Sequence, residues 1–150
     1  MRRGVDERGQ FAGIEAIPFG LLVVVVGGLV VANAWGVVDA KFAVSSAARA
    51  ATRAYVETPA GDDARARAQA AAGAAMAGFG RDADRLEVEL VRGSLSRCEP
   101  VEIRVRYRVP AVTVPWLGSA GSAVEVTASH VERVDPYRTG LAAVEGGCGA

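Results

Sequence analysis

The sequence contains little of what most catalytic and metal sites require. It has one histidine and two cysteines, with no Cys-x-x-Cys pair, so one chain cannot assemble a zinc site of the usual Cys/His kind. Its 17 lysines and arginines are balanced by 17 acidic residues, which excludes the strong positive charge of a dedicated nucleic-acid binder. We therefore expect no metal site, no cofactor and no nucleic-acid partner.

Nucleophilic catalysis would have to use His130. This histidine continues the apolar side of an alternating segment after Val124, Val126 and Ala128, and the nearby serines lie in no Gly-x-Ser-x-Gly turn. The glycine-rich stretch at residues 118–122 lacks the lysine and helix start of a phosphate-binding loop, and we interpret it as a flexible hairpin connection. The chain is therefore not expected to be an enzyme, and no catalytic residue is predicted.

Charge is absent from residues 16–38, a run that exceeds the roughly 20 apolar residues that cross a bilayer as a helix. We predict a transmembrane helix that begins at residue 14, after a charged leader at residues 1–13. A cleaved secretory signal is the alternative. Its apolar core usually holds about 7 to 15 residues, and Ala32-Asn33-Ala34 is only a weak cleavage match.

The predicted helix continues outside the membrane. Residues 39–58 lack glycine and proline and are rich in alanine, which favours one helix as far as residue 58, where Pro59 and Gly61 end it. Asp62 or Asp63 can cap a second, alanine-rich helix. Gly78 or Gly80 can close that helix, and its apolar residues share one face: Ala68, Ala72, Ala75, Met76 and Phe79.

After the second helix, apolar residues alternate with charged or polar ones in three segments. Residues 86–90, 101–109 and 124–129 are therefore predicted to form three antiparallel strands, each with one solvent-exposed face. The sheet can bury its other face against the extramembrane helix, and the tail from Asp135 looks irregular. The fold class is an α+β membrane protein of pilin-like architecture, with residues 59–150 forming an extracytoplasmic helix, sheet and tail.

A row of arginines on the second strand could bind an anionic partner. Acidic residues on the two neighbouring strands could instead pair with them across the sheet, which we favour. The arginines are Arg104, Arg106 and Arg108, and the acids are Glu87, Glu89 and Glu125. The loop at residues 109–118 is unusually apolar, so it either folds back onto the sheet or contacts a partner or the membrane surface.

Cys98 and Cys148 both lie in irregular segments that flank the predicted sheet. If these segments are outside the cytoplasm, a disulfide is the natural state, and two free thiols are the alternative. The bridge would join the tail to the loop between the first two strands.

Small residues recur every four positions in the apolar run, at Gly28, Ala32, Gly36 and Ala40, with Asn33 beside them. Such a stripe lets another helix approach closely, although glycine and alanine are common in membrane helices for other reasons. We predict lateral helix packing along these residues.

Glu15 directly precedes the apolar run. A carboxylate so placed is a functional candidate, or it stays at the interface, where the start of the helix favours negative charge.

The first 55 or so residues resemble the TadE-like minor pseudopilins of the tight-adherence pilus assembly systems. The resemblance rests on three short stretches. They are Arg8-Gly9-Gln10 at the end of the charged leader, Ile14-Glu15 just before the apolar helix, and Val38-Asp39-Ala40-Lys41 where the helix continues outside the membrane. A further match is Ala47-Ala48-Arg49-Ala50-Ala51-Thr52-Arg53. The C-terminal half carries no motif specific to the family.

The resemblance implies processing by a prepilin-type peptidase that cuts after a leader glycine, and a glutamate at the fifth mature position that matters for packing among subunits. Glu15 is sixth after Gly9 and fifth after Gln10, and Ala16 stands where the family usually has an aromatic residue. The cut therefore follows Gln10, leaving Phe11 first, or follows Gly9 with a shifted glutamate, or does not occur.

The function implied by the resemblance is that of a structural protein in Tad-type pilus assembly or secretion, acting by helix packing in the membrane. Its expected partners are membrane lipid, other pilin-like subunits and the assembly machinery. We expect a single-pass protein of the cell membrane with a cytoplasmic N-terminus and an extracytoplasmic C-terminal region. The alternative is a membrane-anchored extracellular binding module unrelated to pili.

Overall fold

The computed structural model describes residues 16–109, 112–114, 118–120, 123–142 and 148. The fold of this part is α+β, with helices α1 (Ala16–Val56) and α2 (Ala64–Ala77). Its strands are β1 (Leu86–Arg92), β2 (Pro100–Val109), β3 (Val112–Val114), β4 (Gly118–Ala120) and β5 (Val124–Arg133).

Helix α1 is continuous over 41 residues and passes without interruption from the apolar run into the charged, alanine-rich part, as the sequence predicts. It ends just before Pro59, where the Thr58 hydroxyl donates a 2.6 Å hydrogen bond to the Ala54 carbonyl. The Arg138 guanidinium donates to the carbonyls of Val56 and Glu57. These bonds satisfy carbonyls that have no partner within the helix.

Helix α2 begins at the second of its two candidate caps. The Asp63 carboxylate accepts hydrogen bonds of 3.0 and 3.1 Å from the main-chain amides of Arg65 and Ala66. Gly78 follows the last helical residue. The predicted apolar face is correct for Ala68, Ala72 and Met76, which are buried, and for Ala75, which is half-buried.

Phe79 corrects that prediction, because 43% of its surface is exposed. The helix has already ended at Ala77, so the 3.6-residue spacing no longer places Phe79 on the buried face.

The three predicted strands form one antiparallel sheet in the order β1-β2-β5. Strand β5 pairs with the whole of β2, from Val109 opposite Val124 to Pro100 opposite Arg133. The observed strands are longer than predicted, and a bulge follows Leu90 in β1.

Strands β3 and β4 correct a second prediction. They pair antiparallel as a short hairpin inserted between β2 and β5, within a stretch that was expected to be an apolar loop and a flexible connection. The β-branched residues Val112, Thr113 and Val114 favour a strand, but three residues are too few for alternation to be recognised. The predicted loop's remaining residues, including Trp116 and Leu117, lie outside the described chain.

The core lies between the second half of α1, helix α2 and the sheet. Helix α1 packs against α2 on one side and against β2 and β5 on the other, while α2 approaches β1. Alanines dominate this face of α1 and are almost completely buried: Ala40, Ala43, Ala47, Ala48 and Ala51. The sheet contributes Val101, Ile103 and Val105. We call the described residues from Ala40 onward the head.

Replacing Asp63 by alanine removes the cap of α2, so we expect the free energy of unfolding to fall by about 1 kcal/mol. Asp62→Ala is the matched control, because it removes the same charge one residue away without removing a cap bond. Denaturant unfolding of the detergent-extracted chain measures both variants. Equal losses for the two would contradict the assigned cap.

Candidate functional site

The candidate site is the surface of residues 16–38, which we call the apolar segment of α1. Within the described chain, α1 is the one helix long and apolar enough to cross a membrane, with a mean hydropathy of 2.4 over its most apolar window. None of that window is buried, and Trp35 is 72% exposed. A core helix of this composition would be covered by the rest of its own chain, whereas most side chains of this segment are exposed among the described residues.

The small-residue stripe divides into two parts. Gly28 and Ala32 are exposed, whereas Gly36 is half-buried and Ala40 lies fully buried in the chain's own core. Gly28 and Ala32 are therefore accessible for the predicted packing against a second helix, whereas Ala40 packs inside the head.

The glycines of the apolar segment have no packing role among the described residues. A Cβ added at any of them would meet no atom there within 4 Å: Gly20, Gly27, Gly28 and Gly36. A glycine inside a helix destabilises it by roughly 0.5–1 kcal/mol relative to alanine. Asn33 donates a 2.8 Å hydrogen bond to the Leu29 carbonyl of its own helix.

The predicted processing residues Gly9, Gln10, Phe11 and Glu15 lie outside the described residues, so their arrangement stays a prediction.

Arg81 connects the end of α2 to α1 where the apolar segment ends, a contact that the sequence analysis missed. Its guanidinium donates hydrogen bonds of 2.7 Å to the Asp39 carboxylate and 3.1 Å to the Gly36 carbonyl. It lies 5.9 Å from the centre of the Tyr107 ring, and its side chain is only 17% exposed. Its Nε is buried without a hydrogen-bond partner in the described part of the chain. Charge-assisted bonds of this kind fix the head against the helix.

The outer face of the sheet carries the predicted cross-strand ion pairs. The Arg108 guanidinium lies 2.9 Å from the Glu87 carboxylate, and the Arg106 guanidinium lies 3.0 Å from that of Glu89. The longer pairs are Arg104 with Glu89 at 3.8 Å and Arg106 with Glu125 at 3.9 Å. The arginines are therefore already paired within the chain, and this weakens the hypothesis of an anionic partner.

A cleft of about 470 Å³ lies between α2 and β1. Apolar side chains of Val88 and Ile103 line it together with Tyr55 and with the polar Arg65 and Gln69. Strand β1 is the neighbouring edge of the sheet, because among the described strands only β2 pairs with it. A strand edge beside a cleft with both apolar and polar walls can accept an extended peptide.

The two cysteines are brought to disulfide distance, with the Cα atoms of Cys98 and Cys148 5.3 Å apart. The tail is also held by hydrogen bonds of 2.9 Å from the Arg97 amide to the Ala142 carbonyl and 3.0 Å from the Cys98 amide to the Val134 carbonyl. The tail therefore docks on the loop between β1 and β2, as predicted.

The titratable groups of the described residues include no metal-binding cluster. Among the described residues, no group of three or more His, Cys, Asp or Glu side chains could hold a metal ion. The half-buried His130 lies in β5, where its carbonyl accepts a 3.4 Å hydrogen bond from the Thr52 hydroxyl. The Glu57 carboxylate raises the pKa of the Arg53 guanidinium by accepting its hydrogen bond and by its opposite charge. That pair lies on the solvent side of the last turn of α1.

Arg81→Ala should lower the free energy of unfolding by about 1.5–3 kcal/mol, because it leaves Asp39 without its charge-assisted bond. Arg85→Ala is the control, since Arg85 is exposed and the change should stay within about 0.5 kcal/mol. Thermal unfolding in detergent measures both. Similar unfolding free energies for the two variants would refute a structural role for the Arg81 contact.

Mass spectrometry checks the cysteine pair. We expect alkylation to add no mass until a reductant is supplied, and Cys148→Ser to lower the free energy of unfolding by about 4 kcal/mol in the chain-entropy model. Alkylation of the unreduced protein at both cysteines would show free thiols instead.

Comparison of the chain with protein-family models, curated proteins and solved structures finds no match. The features that bear on function are therefore those of the molecule itself. They are a largely exposed apolar helix surface, its small residues Gly28 and Ala32, and a head that continues directly from that helix.

Proposed function

We propose that the chain is a single-pass, pilin-like structural protein of the TadE-like type, which works in pilus assembly or secretion by lateral packing of its membrane helix. The observation that carries this proposal is the continuity of α1. Its first half is apolar and largely exposed among the described residues, while its second half is the central element of the head. A neighbouring helix that packs against the membrane helix therefore also positions the head. A subunit of an assembled fibre, or of its base, needs this coupling.

The proposed orientation places the N-terminus in the cytoplasm and the head outside. Cysteines at disulfide distance in the head support it, because disulfides persist mainly outside the cytoplasm. The expected partners are membrane lipid around the apolar segment, other pilin-like subunits, and a peptidase acting near Gly9 and Gln10.

Exposed small residues supply the proposed packing surface. Gly28 and Ala32 lie one turn apart on the uncovered helix, and no described neighbour needs a glycine at residue 28. Close approach of a second helix at this point is a use for a residue that otherwise only weakens the helix.

Gly28→Leu combined with Ala32→Leu should abolish assembly, because two bulky side chains separate the packed helices. Val26→Leu combined with Val30→Leu is the control, since it also enlarges two exposed side chains four residues apart on the same helix. Pilus yield and cross-linking between subunits in native membranes measure the effect. Assembly that survives the first pair, or a scrambled apolar helix of equal length, would rule out packing.

The cleft beside β1 favours a second candidate, the membrane-anchored binding module. In that case the helix only anchors, so Glu15→Ala and a scrambled apolar helix should leave function intact. Val88→Arg should then abolish it, because Val88 lines the cleft. The pilin-like proposal expects the opposite pattern.

A further inference from the structure

Strand β5 runs in the same direction as α1. The Lys41 ammonium donates to the Thr127 carbonyl, and farther along the helix the Thr52 hydroxyl donates to the His130 carbonyl. Val124, where β5 begins, lies three residues before Thr127, or about 10 Å along a strand. That distance equals about seven residues of helix, which places the start of β5 near Ala34, and the same reckoning from the Thr52–His130 contact places it near Asp39. This end of the sheet therefore lies level with the end of the apolar segment.

Two exposed apolar side chains lie at the same end of the head. Phe79 comes two residues before Arg81, whose guanidinium is bonded to Gly36 and Asp39, and it is 43% exposed. Val124 itself is 40% exposed. Both side chains remain exposed, although they lie near the end of the apolar segment.

The β3–β4 hairpin extends from this end of the sheet. It is inserted between Val109 and Val124, which face each other across β2 and β5, and β3 lies beside α1. Residues 109–124 contain no charged residue. On the helix, Leu29 and Asn33 are half-buried, unlike Val30 and Val31, and they lie on the side that continues into the buried face of the head. This side of the apolar segment is therefore partly buried as far back as Leu29.

We propose that this end of the head, formed by Phe79, Val124 and the β3–β4 hairpin, is a second membrane-contacting surface that docks into the interfacial layer of the bilayer. The inference rests on the proposed membrane helix. Continuity with that helix and the absence of charge from residues 109–124 favour lipid as the occupant. A two-stranded hairpin keeps unpaired main-chain groups on its edges, and these find partners among headgroups and water but not in hydrocarbon. The contact is therefore interfacial, and it holds the head at a fixed tilt.

The test uses the full chain with its cysteines oxidised, carrying one added cysteine labelled with an environment-sensitive dye. Thr113→Cys places the dye on β3, and Ser119→Cys places it on β4 as a repeat with a different backbone site. Val30→Cys reports the membrane helix, and Tyr137→Cys, at a 90% exposed side chain, reports the solvent. The vesicles contain phosphatidylcholine and phosphatidylglycerol with nitroxide quenchers near the top of the acyl chains.

We expect the dye at residue 113 or 119 to be quenched at least two-fold more than the dye at residue 137. Quenching at residue 30 but not at residues 113 and 119 would overturn the docking surface and leave the membrane helix intact. A blue-shifted but unquenched dye on the hairpin would mean that protein covers it, which also overturns the lipid assignment. Absence of quenching at residue 30 would overturn the membrane helix and the inference together.

Discussion

The close packing of small side chains along the second half of α1 is the contact on which the head depends. Ala40, Ala43, Ala47, Ala48 and Ala51 are almost completely buried, with α2 on one side and the sheet on the other. Between Ala40 and Ala51 no buried side chain of this helix is larger than a methyl group apart from Val44, so two elements approach the helix closely. Each alanine buries little apolar surface, so the head gains its stability from many such contacts and from additional bonds at its ends.

Those additional bonds lie at both ends of the packed part of α1. Arg81 joins the end of α2 to Gly36 and Asp39, and Arg138 binds the last carbonyls of the helix. Helix and head therefore form one continuous unit. In the proposed function, a neighbour that packs against Gly28 in the membrane also sets the position of the head. A second contact with lipid at the β3–β4 hairpin would restrict the tilt of this unit further.

Much of this fold can be predicted from local patterns in the sequence. The uncharged run, the absence of glycine and proline over residues 39–58 and the three alternating segments predict the long helix and the sheet, because each signal repeats within one element. The choice between Asp62 and Asp63 as cap is not readable, since both carboxylates precede the same helix. The Arg81 contact is missed for a different reason. Its partner Asp39 is 42 residues away, and a single long-range ion pair leaves no periodic signal.

The candidate site was only partly predictable because one pattern has two uses. Small residues every four positions suit packing within a chain and packing between chains equally, and only the fold shows that Ala40 belongs to the first and Gly28 is open to the second. The N-terminal sequence and intact mass of the membrane-extracted protein test the central proposal most directly. A mature chain that begins at Gln10 or Phe11 is the result we expect of a pilin-like subunit. An intact Met1 or Arg2 start in cells that have the peptidase, or a start beyond Ala34, would contradict it.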